Sequence, residues 1–122
     1  MKRRALLSGM IGLTGLGLSP FTRANSGGGR VLIIGGGWGG LAAARELRSR
    51  APQLDITLLE RQARFWSHPG SNRWLVGLAD AAQLSHDYAA AAQRHGYRFI
   101  HGEVSAIDRN ARRVSTSNGE FE

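Results

Sequence analysis

Three glycines and one acid carry the clearest chemistry in this chain. Gly35, Gly37 and Gly40 are spaced as G-x-G-x-x-G, and Glu60 stands about twenty positions beyond the last of them. These residue types at this spacing suit a ligand with a pyrophosphate bridge. Gly35 would let the chain turn sharply out of a strand. Gly37 would let backbone approach the pyrophosphate with no Cβ in the way, and Gly40 would let a helix pack closely on a sheet. The free N–H groups of a helix starting near Trp38, with Gly39 and Gly40 in its first turn, would face the phosphates. Glu60 would accept hydrogen bonds from the adenosine ribose hydroxyls. The competing reading is a Gly-rich turn that binds nothing.

The surrounding elements place these residues. The apolar run Val31-Leu32-Ile33-Ile34 leads straight into the glycines and reads as a parallel strand covered on both faces. Leu41, Ala44 and Leu47 recur at helical spacing, with Ala42 and Ala43 permitting close packing, and Pro52 ends that helix. Residues 55–59 supply a second strand ending in Glu60. Residues 61–80 read as a long irregular connection. Its Phe65, Trp66 and Trp74 would pack on a ligand, on a further domain, or simply over the sheet. Ser85 is the expected N-cap of a helix that reaches His95 and stops at Gly96; residues 98–102 form the third strand. Residues 104–108 and 112–117 are extended, with a turn between them. Asn118-Gly119 signals a hairpin, but Glu120-Phe121-Glu122 looks too short to return, so the chain reads as a piece of a longer one. The fold class expected is α/β: an incomplete Rossmann-like domain with a parallel sheet, begun by a βαβ unit, plus a β-hairpin.

Composition narrows the functions. The 122 residues carry 16 basic and 9 acidic side chains, a formal charge of +7. Lys2, Arg3, Arg4 and Arg23 all lie before residue 27, leaving 12 basic against 9 acidic residues, a net +3, with no basic run to track a nucleic acid. The absence of cysteine excludes disulfides, thiolate metal sites and thiol redox chemistry within these residues. His68, His86, His95 and His101 lack metal-ligand spacing, so no metal site is expected. Residues 1–26 have a basic start, a Gly-diluted apolar stretch and Thr22-Arg23-Ala24, the layout of a secretory signal cleaved after Ala24. Arg3-Arg4 followed by Ala5-Leu6-Leu7 resembles a twin-arginine signal, which exports prefolded, cofactor-loaded proteins; an ordinary secretory signal is the alternative. The apolar stretch is too short to span a bilayer comfortably. Residues 26–29 would be a flexible joint. The compartment implied is the bacterial periplasm, and residues 27–122 form the domain.

Residues 31–40, the strand ending in Glu60, Phe65-Trp66 with Ser71-Asn72, residues 95–102, and Val104 with Ile107-Asp108 together resemble the flavin-binding start of the pyridine nucleotide-disulfide oxidoreductases. Within them the sulfide dehydrogenase flavoproteins look most similar: the flavocytochrome c flavoprotein subunit and the sulfide:quinone oxidoreductases. The resemblance implies FAD, with Gly35, Gly37, Trp38, Gly39 and Gly40 at the pyrophosphate. It also places Glu60 and Arg61 at the ribose and the Val104 backbone at the adenine. It implies oxidation of a reduced sulfur substrate, with a cytochrome c subunit or a quinone as electron acceptor. His68 falls where the flavocytochrome c flavoproteins carry a flavin-linking Cys, and the family's redox cysteines would fall beyond Glu122. A type II NADH dehydrogenase-like flavoprotein and a stand-alone dinucleotide-binding module are the alternatives.

Overall fold

The structure is a computed structural model that describes residues 28–122. The expected leader, with its cleavage after Ala24, lies outside the described residues. β1 (Arg30–Ile34), α1 (Trp38–Arg50) and β2 (Asp55–Glu60) form the first βαβ step. β3 (Arg64–Trp66), α2 (Ser71–Leu75) and a 3-10 turn over Ala81–Leu84 follow. Then come β4 (Ser85–Asp87), α3 (Tyr88–His95) and β5 (Arg98–His101). β6 (Val104–Asp108), β7 (Arg113–Thr116) and β8 (Gly119–Phe121) complete the described chain.

Three sheets result. β1, β2 and β5 are parallel in the order β1-β2-β5; β3 pairs with β4 and β6-β7-β8 form a meander, both antiparallel. This is the α/β arrangement of a Rossmann-like domain, with helices linking parallel strands and a hairpin sheet beside them. β2 is the centre: Ile56, Thr57, Leu58 and Leu59 are all buried. A strand with neighbours on both edges and cover on both faces must read as a continuous apolar run, and Ile-Thr-Leu-Leu nearly does. Ala44, Ile56, Leu58, Phe65, Tyr88, Ala92 and Tyr97 close the core on the helical side.

Several expectations are corrected by this packing. β1 is only half-buried and Ile34 is exposed, because β1 is an edge strand among the described residues and β2 takes the covered position. The close contact of α1 falls on Ala44, fully buried, while Ala42 and Ala43 face outward. The last residues of the presumed joint belong to the fold: Gly28 is buried, and the Gly29 carbonyl accepts the Asp55 N–H at 3.1 Å. Residues 61–80 are not irregular throughout, since Arg64–Trp66 pairs with Ser85–Asp87. That pairing takes Ser85 into a strand. The N-cap of α3 is Asp87, whose carboxylate accepts the Ala90 N–H at 3.0 Å. The short returning segment after Asn118 does pair, with Val114 opposite Phe121 and Thr116 opposite Gly119. The three aromatics divide: Phe65 is in the core, whereas Trp66 and Trp74 are about half exposed.

Tyr88 and Tyr97 are buried phenols, and burial raises the pKa of both; for Tyr88 the nearby Glu60 charge and Tyr97 add to the rise. The unfolded chain therefore ionises first as pH rises. Their contribution to stability is complete below about pH 10 and is lost as pH climbs through the raised folded-state values. Melting temperature should hold steady up to about pH 9.5 and then fall, and the fall should be shallower in Tyr97→Phe. An equally steep alkaline fall in that variant would show that the buried phenols do not cause it.

Candidate functional site

The site lies where the parallel strands end. Ile34 pairs with Leu59 and Glu60 with His101, so β1, β2 and β5 deliver their last residues to one edge. The ladder continues one residue past each outer strand: the Gly35 N–H donates to the Leu59 carbonyl at 2.8 Å, and the Gly102 N–H to the Glu60 carbonyl at 2.9 Å. The turn is thereby fixed to the most buried strand of the sheet. The carboxyl edge of a parallel sheet is where open α/β folds bind ligands.

The glycines differ in what they permit. Gly35 has φ +97°, a conformation that side chains disfavour. A Cβ on Gly40 would stand 1.9 Å from the Gly35 carbonyl oxygen, so this glycine is what lets α1 start against the strand end. Gly37 and Gly39 are different: a Cβ on either would meet nothing within 4 Å. Their bareness leaves open space beside the backbone, which is what a phosphate group needs.

The start of α1 supplies donors. Its N-cap is Gly37, with no side-chain cap and no acidic residue in the first turn. The first backbone bond back to the loop is Leu41 N–H to the Gly37 carbonyl, at 3.0 Å. The N–H groups of Gly37, Trp38, Gly39 and Gly40 donate no hydrogen bond among the described residues. Four free donors at the positive end of a helix dipole, with open space before them, fit a diphosphate.

Glu60 closes the other side. One carboxylate oxygen accepts the Gly36 N–H at 2.6 Å and the other the Gln62 N–H at 2.8 Å. Each oxygen keeps a further lone pair for a ribose hydroxyl. Arg61, beside it, is exposed; its guanidinium lies 4.0 Å from Glu103, and its carbonyl is bonded to the His101 ring at 2.9 Å. Val104 opens β6 opposite Thr116, held by the Ser117 hydroxyl and N–H on the Glu103 backbone. Trp38 is exposed, its ring edge-on to Phe65 with centroids 5.0 Å apart.

The structure thus brings Gly35, Gly37, Trp38, Gly39, Gly40 and Glu60 into one cradle, with Arg61 and Val104 along its β5–β6 side. It does not join His68 to them. That imidazole is exposed between β3 and α2 and makes no hydrogen bond or ion pair among the described residues. Two participants escaped sequence reasoning. Gly36 is buried, with its N–H on Glu60, and Tyr88 donates its hydroxyl to the Gly36 carbonyl at 2.9 Å. No local pattern links positions 36 and 88; only the fold does. No cluster of metal-ligating residues occurs among the described residues. A cavity of about 490 Å³ between the sheet and the meander touches Arg30, Asp55 and Arg98, which begin their strands, and none of the glycine loop.

Comparison with known proteins agrees with this geometry. The family model described as pyridine nucleotide-disulphide oxidoreductase matches residues 29–121. The chain belongs to that family. A sulfide-quinone reductase of Aquifex aeolicus is 32% identical over 90 residues, covering 74% of this chain and 21% of the relative. Its fold, from the crystal structure of the A. aeolicus sulfide:quinone oxidoreductase, superposes with a TM-score of 0.70 over 76% of this chain and 22% of that one. A type II NADH:quinone oxidoreductase of Staphylococcus haemolyticus is 27% identical over 95 residues, 76% of this chain and 24% of the relative. The sulfide dehydrogenase [flavocytochrome c] flavoprotein chain of Chlorobaculum thiosulfatiphilum is 42% identical over 43 residues, 35% of this chain and 90% of that sequence. The chain spans between a fifth and a quarter of the two longer relatives. The cofactor that goes with membership is FAD, and the free donors, the open space at Gly37 and the Glu60 carboxylate fit its adenosine diphosphate half.

Two substitutions separate binding from folding. Gly37 has an ordinary φ of −65° and room for a side chain, so Gly37→Val should leave the melting temperature of the apoprotein nearly unchanged and abolish FAD retention. Gly40→Ala should instead destabilise by about 1–3 kcal/mol, because its Cβ collides with the Gly35 carbonyl. Thermal unfolding and the flavin-to-protein absorbance ratio read the two effects; a Gly37→Val protein that keeps its flavin would contradict the site.

Proposed function

We propose that this chain is the FAD-binding portion of an exported flavoprotein that oxidises sulfide or another reduced sulfur compound and passes the electrons to a cytochrome c or a quinone. The observation that carries the sulfur reading is the 32% identity, over 74% of this chain, to a protein named sulfide-quinone reductase. A protein named sulfide dehydrogenase flavoprotein chain, similar over a shorter stretch, supports it. Bound FAD supplies a two-electron acceptor for the sulfur compound and a donor to the next carrier.

The residues of this chain do the holding. The N–H groups at the start of α1 neutralise the diphosphate, Glu60 and Arg61 fix the ribose, and the Val104 backbone meets the adenine. His68 stands where the flavocytochrome c flavoproteins carry their flavin-linking Cys, and with no cysteine in this chain we take the flavin to be held without a covalent bond. The twin-arginine-like leader suits a protein that folds around its cofactor in the cytoplasm and works in the periplasm. No helix among the described residues is long and apolar enough to cross a membrane. The second reading, a type II NADH:quinone oxidoreductase, is favoured by the 27% identity over 95 residues to the staphylococcal protein; a periplasmic site speaks against NADH as donor.

Anaerobic titration of the full-length protein distinguishes them. Sulfide should bleach the visible flavin absorbance within the mixing time of a spectrophotometer while NADH leaves it unchanged; the reverse pattern would establish the second reading. Acid precipitation should leave the flavin in the supernatant, and a yellow pellet would overturn the non-covalent assignment.

A further inference from the structure

Gly36 is tied at both ends of its residue. Its N–H donates to Glu60 at 2.6 Å and its carbonyl accepts the Tyr88 hydroxyl at 2.9 Å, across 52 positions of chain. The second bond matters to the ligand side through the geometry of the peptide unit. In a planar trans peptide the carbonyl and the next N–H point in opposite directions. The Gly36 carbonyl and the Gly37 N–H share one such plane. A hydroxyl that draws the Gly36 oxygen into the core therefore turns the Gly37 N–H outward, toward the open space of the cradle. Hydrogen bonding to that oxygen also polarises the unit and strengthens its N–H as a donor.

Tyr88 is built to hold this position. It is 3% exposed, begins α3, stacks on Phe99 with centroids 5.0 Å apart and planes 19° apart, and meets Phe65 edge-on at 6.2 Å. Its ring lies so close to the loop that a Cβ on Gly36 would stand 2.6 Å from it. A phenol is protonated at neutral pH, hence a donor, and burial and the Glu60 charge raise its pKa further. A core tyrosine needs only some acceptor for its hydroxyl. This one has taken the carbonyl whose partner N–H is the first free donor of the loop.

We propose that Tyr88 is a positioning residue for the FAD diphosphate, acting through the Gly36 carbonyl to aim the Gly37 N–H at a phosphate oxygen. The inference rests on the reading of the loop as the FAD site. Its test uses the full-length apoprotein, titrated with FAD by flavin fluorescence well below the melting temperature. Tyr88→Phe should raise the FAD Kd about five- to tenfold, the worth of roughly one hydrogen bond. ADP should lose affinity by a similar factor, whereas adenosine, which has no phosphate, should compete as it does with wild type. Ala92→Gly weakens the same helix at a buried position away from the loop. It should lower the melting temperature without changing the FAD Kd. An unchanged Kd in Tyr88→Phe, an equal loss for adenosine and ADP, or an equal rise in Ala92→Gly would reduce Tyr88 to a core residue. Undiminished binding in Gly37→Val would instead overturn the site itself.

Discussion

A helix meets a strand end here with no side chain between them. The Gly35 carbonyl oxygen occupies the space where a Gly40 Cβ would be, 1.9 Å away. That contact sets the rest. It lets α1 begin immediately beyond β1, so its unbonded N–H groups open at the carboxyl edge of the sheet. It also leaves the intervening residues as a short arch that the surrounding elements must hold. A helix displaced outward by even one methyl group would carry those donors away from Glu60 and from the ends of β2 and β5.

The arch is held from three directions. β2 takes the Gly35 N–H through the Leu59 carbonyl, Glu60 takes the Gly36 N–H, and Tyr88 takes the Gly36 carbonyl. Satisfying these groups inside the protein leaves the outward N–H groups as the unspent donors. It also disposes of an electrostatic difficulty. A carboxylate beside a diphosphate would repel it, but the Glu60 oxygens each rest on a backbone N–H, and the helix terminus contributes positive potential at the same edge. The acid can thus serve the ribose without working against the phosphates.

Much of this was legible in the sequence because it is local. The strand, glycines, helix and acid lie within residues 30–60, and their spacing reports geometry directly. What escaped was long-range. Among the described residues β1 stands at a sheet edge and is only half-buried, since burial depends on strand order, which an apolar run does not encode. Ser85 looked like a helix cap until its pairing with Trp66 put it in a strand and passed the cap to Asp87. Tyr88 gave no signal at all, since its role comes from a contact with Gly36 made only when α3 docks beside the loop. Phe65 could be read as ligand-facing or core, and the core has it.

If this chain binds the adenosine diphosphate half of FAD, it must discriminate FAD from FMN. FMN carries the same flavin ring but lacks the adenosine and the diphosphate bridge. The measurement is titration of the full-length apoprotein with each flavin, with ADP as competitor. FAD should bind at one per chain, FMN at least about a hundredfold more weakly, a loss of roughly 2.7 kcal/mol, and ADP should displace FAD competitively. FMN binding as tightly as FAD, with no competition from ADP, would contradict it.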